Sequence, residues 1–179
     1  MSTQTYRLIN LLLLGALFAG SLAVYPTLPD RIPRHFGVTG EPDAWMRRSL
    51  LAWLLLPIIA TATAGLQMAI GRAAASNPTL WNVPDKPRFL ALTPAERQPI
   101  VQRLERFMAL VGVMTTALLC LVQAAVWSAA TGGARTVPPW ALPAAVGVFV
   151  LLILVAALRM NAGIATLIRD AHHRRAAAS

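Results

Sequence analysis

Four apolar runs, at residues 8–24, 50–70, 107–130 and 140–158, alternate with polar stretches along the 179-residue chain. None of the four contains Asp, Glu, Lys, Arg or His. A helix needs about 20 apolar residues to cross the hydrocarbon of a bilayer, and these runs lie near or above that length. The pattern predicts an all-α integral membrane protein with four transmembrane helices, a single domain over residues 1–179. Pro57 falls inside the second run, where it removes a backbone donor and frees a carbonyl for a neighbour to satisfy. Gly15-x-x-x-Ala19, Ala16-x-x-x-Gly20 and Thr61-x-x-x-Gly65 offer smooth faces for close helix packing.

The polar stretches differ in character. Thr93-Pro94-Ala95-Glu96 is a helix start, with Thr as N-cap, Pro in the first turn and Glu closing a capping box. From there Ile100, Val101, Leu104, Met108 and Val111 recur at helical spacing, with Gln98, Gln102, Arg103 and Arg106 on the other side. This is a cytoplasmic amphipathic helix running directly into the third span. Pro78, Pro84 and Pro87 keep the first half of the second connection, Gly71 to Arg106, irregular. Thr131-Gly132-Gly133-Ala134-Arg135 reads as a tight turn, and Val137-Pro138-Pro139 stops helix propagation. The fourth helix extends through Ile168, and His172-His173-Arg174-Arg175 reads as a solvated basic tail, with metal or anionic-lipid binding as the alternative.

Residues 28–45, LPDRIPRHFGVTGEPDAW, form a structured loop between the first two spans. Pro29 and Pro33 favour extended backbone, Gly37 and Gly40 permit positive φ, and Glu41-Pro42-Asp43 is turn chemistry. From Tyr25 to Arg48 the connection is longer than a plain linker needs, and loops of that length are usually functional or disordered. Its prolines and spaced apolar residues argue for order.

Composition and charge narrow the picture. Hydrophobic residues make up 56% of the chain and charged residues 13%, about half the charged share of a soluble domain. The net charge of +9 raises nucleic-acid binding, but the basic residues are scattered around the spans, and no nucleic-acid partner is expected. Eleven Lys and Arg fall in the N-terminal tail, second connection and C-terminal tail, against five in the first and third connections. The positive-inside rule then puts both termini in the cytoplasm and the loop 28–45 outside. Tyr25, Trp45, Trp53, Trp127 and Trp140 fall near the outer ends of spans, as interfacial aromatics do.

Leu28-Pro29-x-x-Ile32-Pro33-x-His35-x-x-x-x-Gly40-x-x-Asp43-x-Trp45 resembles the signature of a bacterial membrane family of unknown function. The domain of that family forms the N-terminal part of sporulation-delaying-toxin immunity proteins. Trp81-Asn82-Val83-Pro84-Asp85-Lys86, with Phe89-Leu90-x-Leu92-x-Pro94-x-Glu96-Arg97, is similar to the segment after the second span in shorter members. The resemblance covers roughly residues 8–130. The Asn-x-x-x-Gly-x-Arg-Thr type motif of the larger immunity proteins is not found here. The resemblance implies the bacterial cytoplasmic (inner) membrane and a binding or protection role. It also favours a retained first span over a cleaved signal peptide, the competing reading of Arg7 and the apolar run after it.

Little here points to catalysis. Pumps and coupled transporters usually carry an ionisable group at depth, and these spans have none. His35 is the only histidine outside the tail and stands in no Gly-x-Ser-x-Gly or His-Glu-x-x-His pattern. One imidazole beside Glu41 and Asp43 is a thin donor set for a metal, so no metal and no cofactor are expected. Cys120, alone in an apolar run, reads as a packing residue. His35 and Asp43 are expected to brace the loop, Ile32 and Phe36 to dock it, and Arg31, Arg34 and Glu41 to face a partner. Beyond the bilayer, a peptide or membrane-protein partner and self-association stay open. The expected function is a binding or immunity-like protection module acting through the loop. The alternative is a small carrier or enzyme for a lipid-soluble substrate, with the loop as its lid.

Overall fold

The computed structural model describes residues 1–132, 138 and 140–178. Its elements are helix α1 (Thr3–Val24), strands β1 (Arg31–Phe36) and β2 (Pro42–Arg47), and helices α2 (Leu50–Ser76), α3 (Lys86–Ala91), α4 (Pro94–Ala130) and α5 (Ala141–Ala178). Short 3-10 turns at Tyr25–Thr27 and Pro78–Leu80 follow α1 and α2. Helices α1, α2, α4 and α5 are long and apolar enough to cross a membrane, which marks a multi-pass membrane protein. Most of the expected turn at 131–135 and of the proline stop at 137–139 lies outside the described residues.

Local chemistry explains where the helices begin. The Ser2 hydroxyl accepts from the Thr5 amide and the Ser49 hydroxyl from the Ala52 amide, each at 3.1 Å. Thr93 and Glu96 form the full capping box at the start of α4. Helix α4 is continuous through the third span, as its periodicity predicts.

Helices α1, α2 and α4 pack together, and α5 lies chiefly along α4. Within the three-helix group Pro57 leaves the Trp53 carbonyl without a helical donor, and Gln123 Nε2 from α4 supplies one at 3.2 Å. Trp53 itself is buried and donates its indole N–H to the Ser21 carbonyl of α1 at 2.7 Å. It is therefore a packing residue between helices and not part of an interfacial belt. Exposed leucines such as Leu11, Leu12, Leu51 and Leu151 cover the outside of the bundle, the surface that lipid chains would solvate.

Apolar cores cap both ends. At one end Leu28, Ile32, Trp53 and Val126 cluster beneath the two strands. At the other, Trp81, Val83, Phe89, Leu92, Ile100, Leu104, Ile164, Ile168 and Ala171 join the second connection to the start of α4 and the end of α5. Helices of 37 and 38 residues run for about 55 Å, well past the roughly 30 Å of hydrocarbon, so this second core stands outside the apolar spans.

Three expectations need correction. The structured loop 28–45 is largely a β-hairpin, so the protein is not purely α. The first half of the second connection is not wholly irregular: α2 runs on to Ser76, and Pro87 sits in the first turn of the short helix α3, where its missing N–H costs nothing. The tail is not a solvated basic segment. It continues α5, with Ala171 buried, His172 Nε2 3.2 Å from the Arg88 carbonyl oxygen, and Arg175 forked onto both carboxylate oxygens of Glu96.

Candidate functional site

The hairpin is built from its base upward. Arg48 donates its backbone N–H to the Asp30 carbonyl at 2.8 Å and its guanidinium to the Leu28 carbonyl, and it lies 5.5 Å from the Tyr25 ring centroid. That one side chain ties the hairpin to the end of α1. Alternation from the bonded pair Asp30–Arg48 puts Arg31 opposite Arg47, and Pro33 opposite Trp45, in non-hydrogen-bonded pairs. The missing N–H of Pro33 therefore removes nothing from the ladder, which is why a proline is tolerated here. Irregular register on either side of His35 lets the strand bend toward its tip.

At the tip, the Gly37 amide donates to the Glu41 carbonyl at 2.8 Å and the Gly40 amide to the Gly37 carbonyl at 2.9 Å. Gly40 has φ +81°, the left-handed geometry of a three-residue hairpin loop. Val38 is 96% exposed at the apex. A two-stranded hairpin is marginal by itself in water. This one gains its hold from Ile32, 1% exposed, and from buried Pro33, with Phe36 and Met46 half-buried beside them.

The other face carries the polar residues. His35 Nδ1 lies 2.6 Å from Asp43 Oδ1 across the strands, both side chains more than half exposed. Arg31, Arg34, Glu41, Trp45 and Arg47 are exposed. Among the described residues no hydrogen bond or ion pair engages the side chains of Arg31, Arg34, Glu41 or Arg47. His35 and Asp43 are thus brought together, and Ile32 and Phe36 both reach the end core. Arg31, Arg34 and Glu41 do not form one cluster: Arg31 stands at the base and Glu41 at the tip, about 20 Å apart along strands that rise about 3.3 Å per residue. Sequence reasoning missed Arg47 as the partner of Arg31. The period-2 alternation of Asp43, Trp45 and Arg47 signals that Arg47 shares the exposed face of β2, but not that it stands opposite Arg31.

Two cavities accompany the helices, one of about 320 Å³ among α1, α2 and α4 and one of about 360 Å³ between α1 and α4 near Trp53. No residue of 28–48 lines either of them.

Residues 12–61 match the family model described as Domain of unknown function (DUF1648). The match takes in the later part of α1, the whole hairpin and the first part of α2. No curated protein and no solved structure matches the chain.

Proposed function

We propose that this chain is a bacterial inner-membrane protein that acts as a binding or protection module of the immunity-like kind, through the hairpin 31–47 on the outer face. The observation that carries this reading is the facing pair Arg31–Arg47. Like charges directly opposite in a hairpin are destabilising, and in a non-hydrogen-bonded pair the side chains are closest. Neither guanidinium has an acidic partner within the described chain, and Arg34 adds a third positive charge nearby. A partner bringing negative charge to this face relieves the repulsion on binding. The rigid inner face supports the same reading, because an anchored hairpin loses little entropy when it binds. The arginine asymmetry supports cytoplasmic termini and an outward hairpin.

The test is partner retention. Replacing Arg31 and Arg34 together with Ala leaves folding and thermal stability nearly unchanged, since exposed charges contribute little. The same variant loses whatever co-purifies with the wild type in mild detergent. Full retention of that partner by the double variant would overturn the reading.

A further inference from the structure

The cavity among α1, α2 and α4 is lined by three helix stripes that grade from charged to apolar in the same direction. On α1 the stripe is Arg7, Asn10, Leu11 and Leu14, at i, i+3, i+4 and i+7. On α4 it is Glu105, Met108, Ala109 and Gly112, with the same spacing. Helix α2 runs the opposite way and reverses the sequence order, from Arg72 through Met68 and Gln67 to Ala64 and Thr61. Charge gathers at one end of the cleft, amides follow one turn in, and small or apolar side chains line the other end.

The polar groups of the cleft are not spent on one another. Asn10 Oδ1 is buried without a hydrogen-bond partner. A flip of the amide would present its N–H₂ at the same place, so the position can donate as well as accept. The Gln67 amide rests against Gly112, where a Cβ would come within 2.8 Å of Gln67 Oε1. Neither Arg7 nor Arg72 forms an ion pair with Glu105. An unpaired amide facing hydrocarbon is costly, and a bare acyl chain cannot satisfy it.

We propose that this cleft binds a single-chain amphiphile with an anionic head group, its tail against Leu14, Met68 and Met108 and its head between Arg7 and Arg72. Two guanidiniums and one carboxylate leave one positive charge at the charged end, which one negative charge neutralises. The Asn10 and Gln67 amides supply hydrogen bonds to the head. A volume of about 320 Å³ lies at the small end of the range for ligand sites, which suits one chain and not two. The head group can be a carboxylate or a phosphate; the chemistry recognised is the same.

The experiment is equilibrium binding of radiolabelled palmitate to the full chain in an uncharged detergent. Unlabelled palmitate, lysophosphatidylglycerol, diacyl phosphatidylglycerol and hexadecanol serve as competitors. Saturable binding is expected, displaced by palmitate or lysophosphatidylglycerol, and roughly tenfold less well by hexadecanol, the loss expected for hydrogen bonds to a charged group. Which of the two anions displaces better identifies the head group. Gly65→Leu adds bulk to the cleft lining at a position where a Cβ meets nothing within 4 Å, and it should abolish binding while the protein stays folded. Arg7→Gln with Arg72→Gln should erase the preference for palmitate over hexadecanol. Unchanged binding in the Gly65 variant, equal competition by hexadecanol, or equal competition by the diacyl lipid would each overturn the proposal.

Discussion

Gln123 donates its side-chain amide to the Trp53 carbonyl oxygen at 3.2 Å, the one oxygen that Pro57 strips of its helical donor. The defect lies on α2 and its repair on α4, 70 residues later. Because Trp53 in turn donates to the Ser21 carbonyl of α1, one residue links three helices.

Replacing Gln123 with Leu should therefore destabilise the bundle by about 1–2 kcal/mol, the upper range for an interhelical hydrogen bond in a membrane. In a Pro57→Ala background the same change should cost less, because residue 57 then supplies its own N–H to Trp53. Thermal unfolding of the four variants in detergent gives the double-mutant cycle. Equal cost in both backgrounds would mean the two sites are uncoupled.

The capping box invites a local test. Thr93→Ala should weaken the start of α4 by about 1 kcal/mol, the usual size of an N-cap loss. Hydrogen exchange should rise over residues 94–104 and stay unchanged over the third span. Unaltered protection in the first turns would place the helix start elsewhere.

Acid should loosen the end of α5. The Arg175 guanidinium, and after it the Thr93 hydroxyl and amide, hold the Glu96 carboxyl at about 2, down from an ordinary 4.5. A carboxyl depressed on folding contributes stability that is complete above its unfolded value and lost as pH falls through its folded one. The contact should thus be intact above about pH 4.5 and fail progressively toward pH 2. Hydrogen exchange of residues 171–178 across that window measures it. Arg175→Gln should move the onset upward in pH, because the largest cause of the shift is gone.

The hairpin should depend on its buried face more than on its polar brace. Ile32 is 1% exposed, so Ile32→Ala should cost about 2–5 kcal/mol. His35→Ala removes a pair that is mostly exposed and should cost about 1 kcal/mol or less. Parallel melts of the two variants rank them; a larger loss for His35 would show that the brace carries the hairpin.

Sidedness has a direct measurement. With Cys120 replaced by Ala, a cysteine introduced at Thr39 on the hairpin tip or at Leu80 in the second connection reports its own side. In intact cells a membrane-impermeant thiol reagent should reach position 39 and not position 80. The reverse pattern would invert the orientation.

The parts of this fold legible in the sequence are those that local chemistry decides. Apolar runs announced the four long helices, and Thr-Pro-x-Glu announced the start of α4. The hairpin was hidden because Pro33 weakens any strand reading, and its harmlessness depends on register with Trp45, which only pairing reveals. The docked tail was hidden for a related reason. Arg175 and Glu96 are 79 residues apart, and nothing in the helical period of either segment indicates that they meet. Of the candidate site, the nearness of His35 and Asp43 could be anticipated from a tight turn between them. The Arg31–Arg47 pair could not, because it depends on the register of the whole hairpin.

Helix α4 reaches both end cores: Val126 packs beneath the hairpin, and Ile100 and Leu104 pack among Phe89, Ile164 and Ile168. Leu104 and Val126 are separated by about 33 Å of unbroken helix. A helix resists stretching, because lengthening it means breaking its hydrogen bonds. A shift of the hairpin along the bundle axis would therefore bear on the far end of the same helix. There it must slide Ile100 and Leu104 against α5 or be resisted by them. The two end cores are thus joined through a single continuous helix.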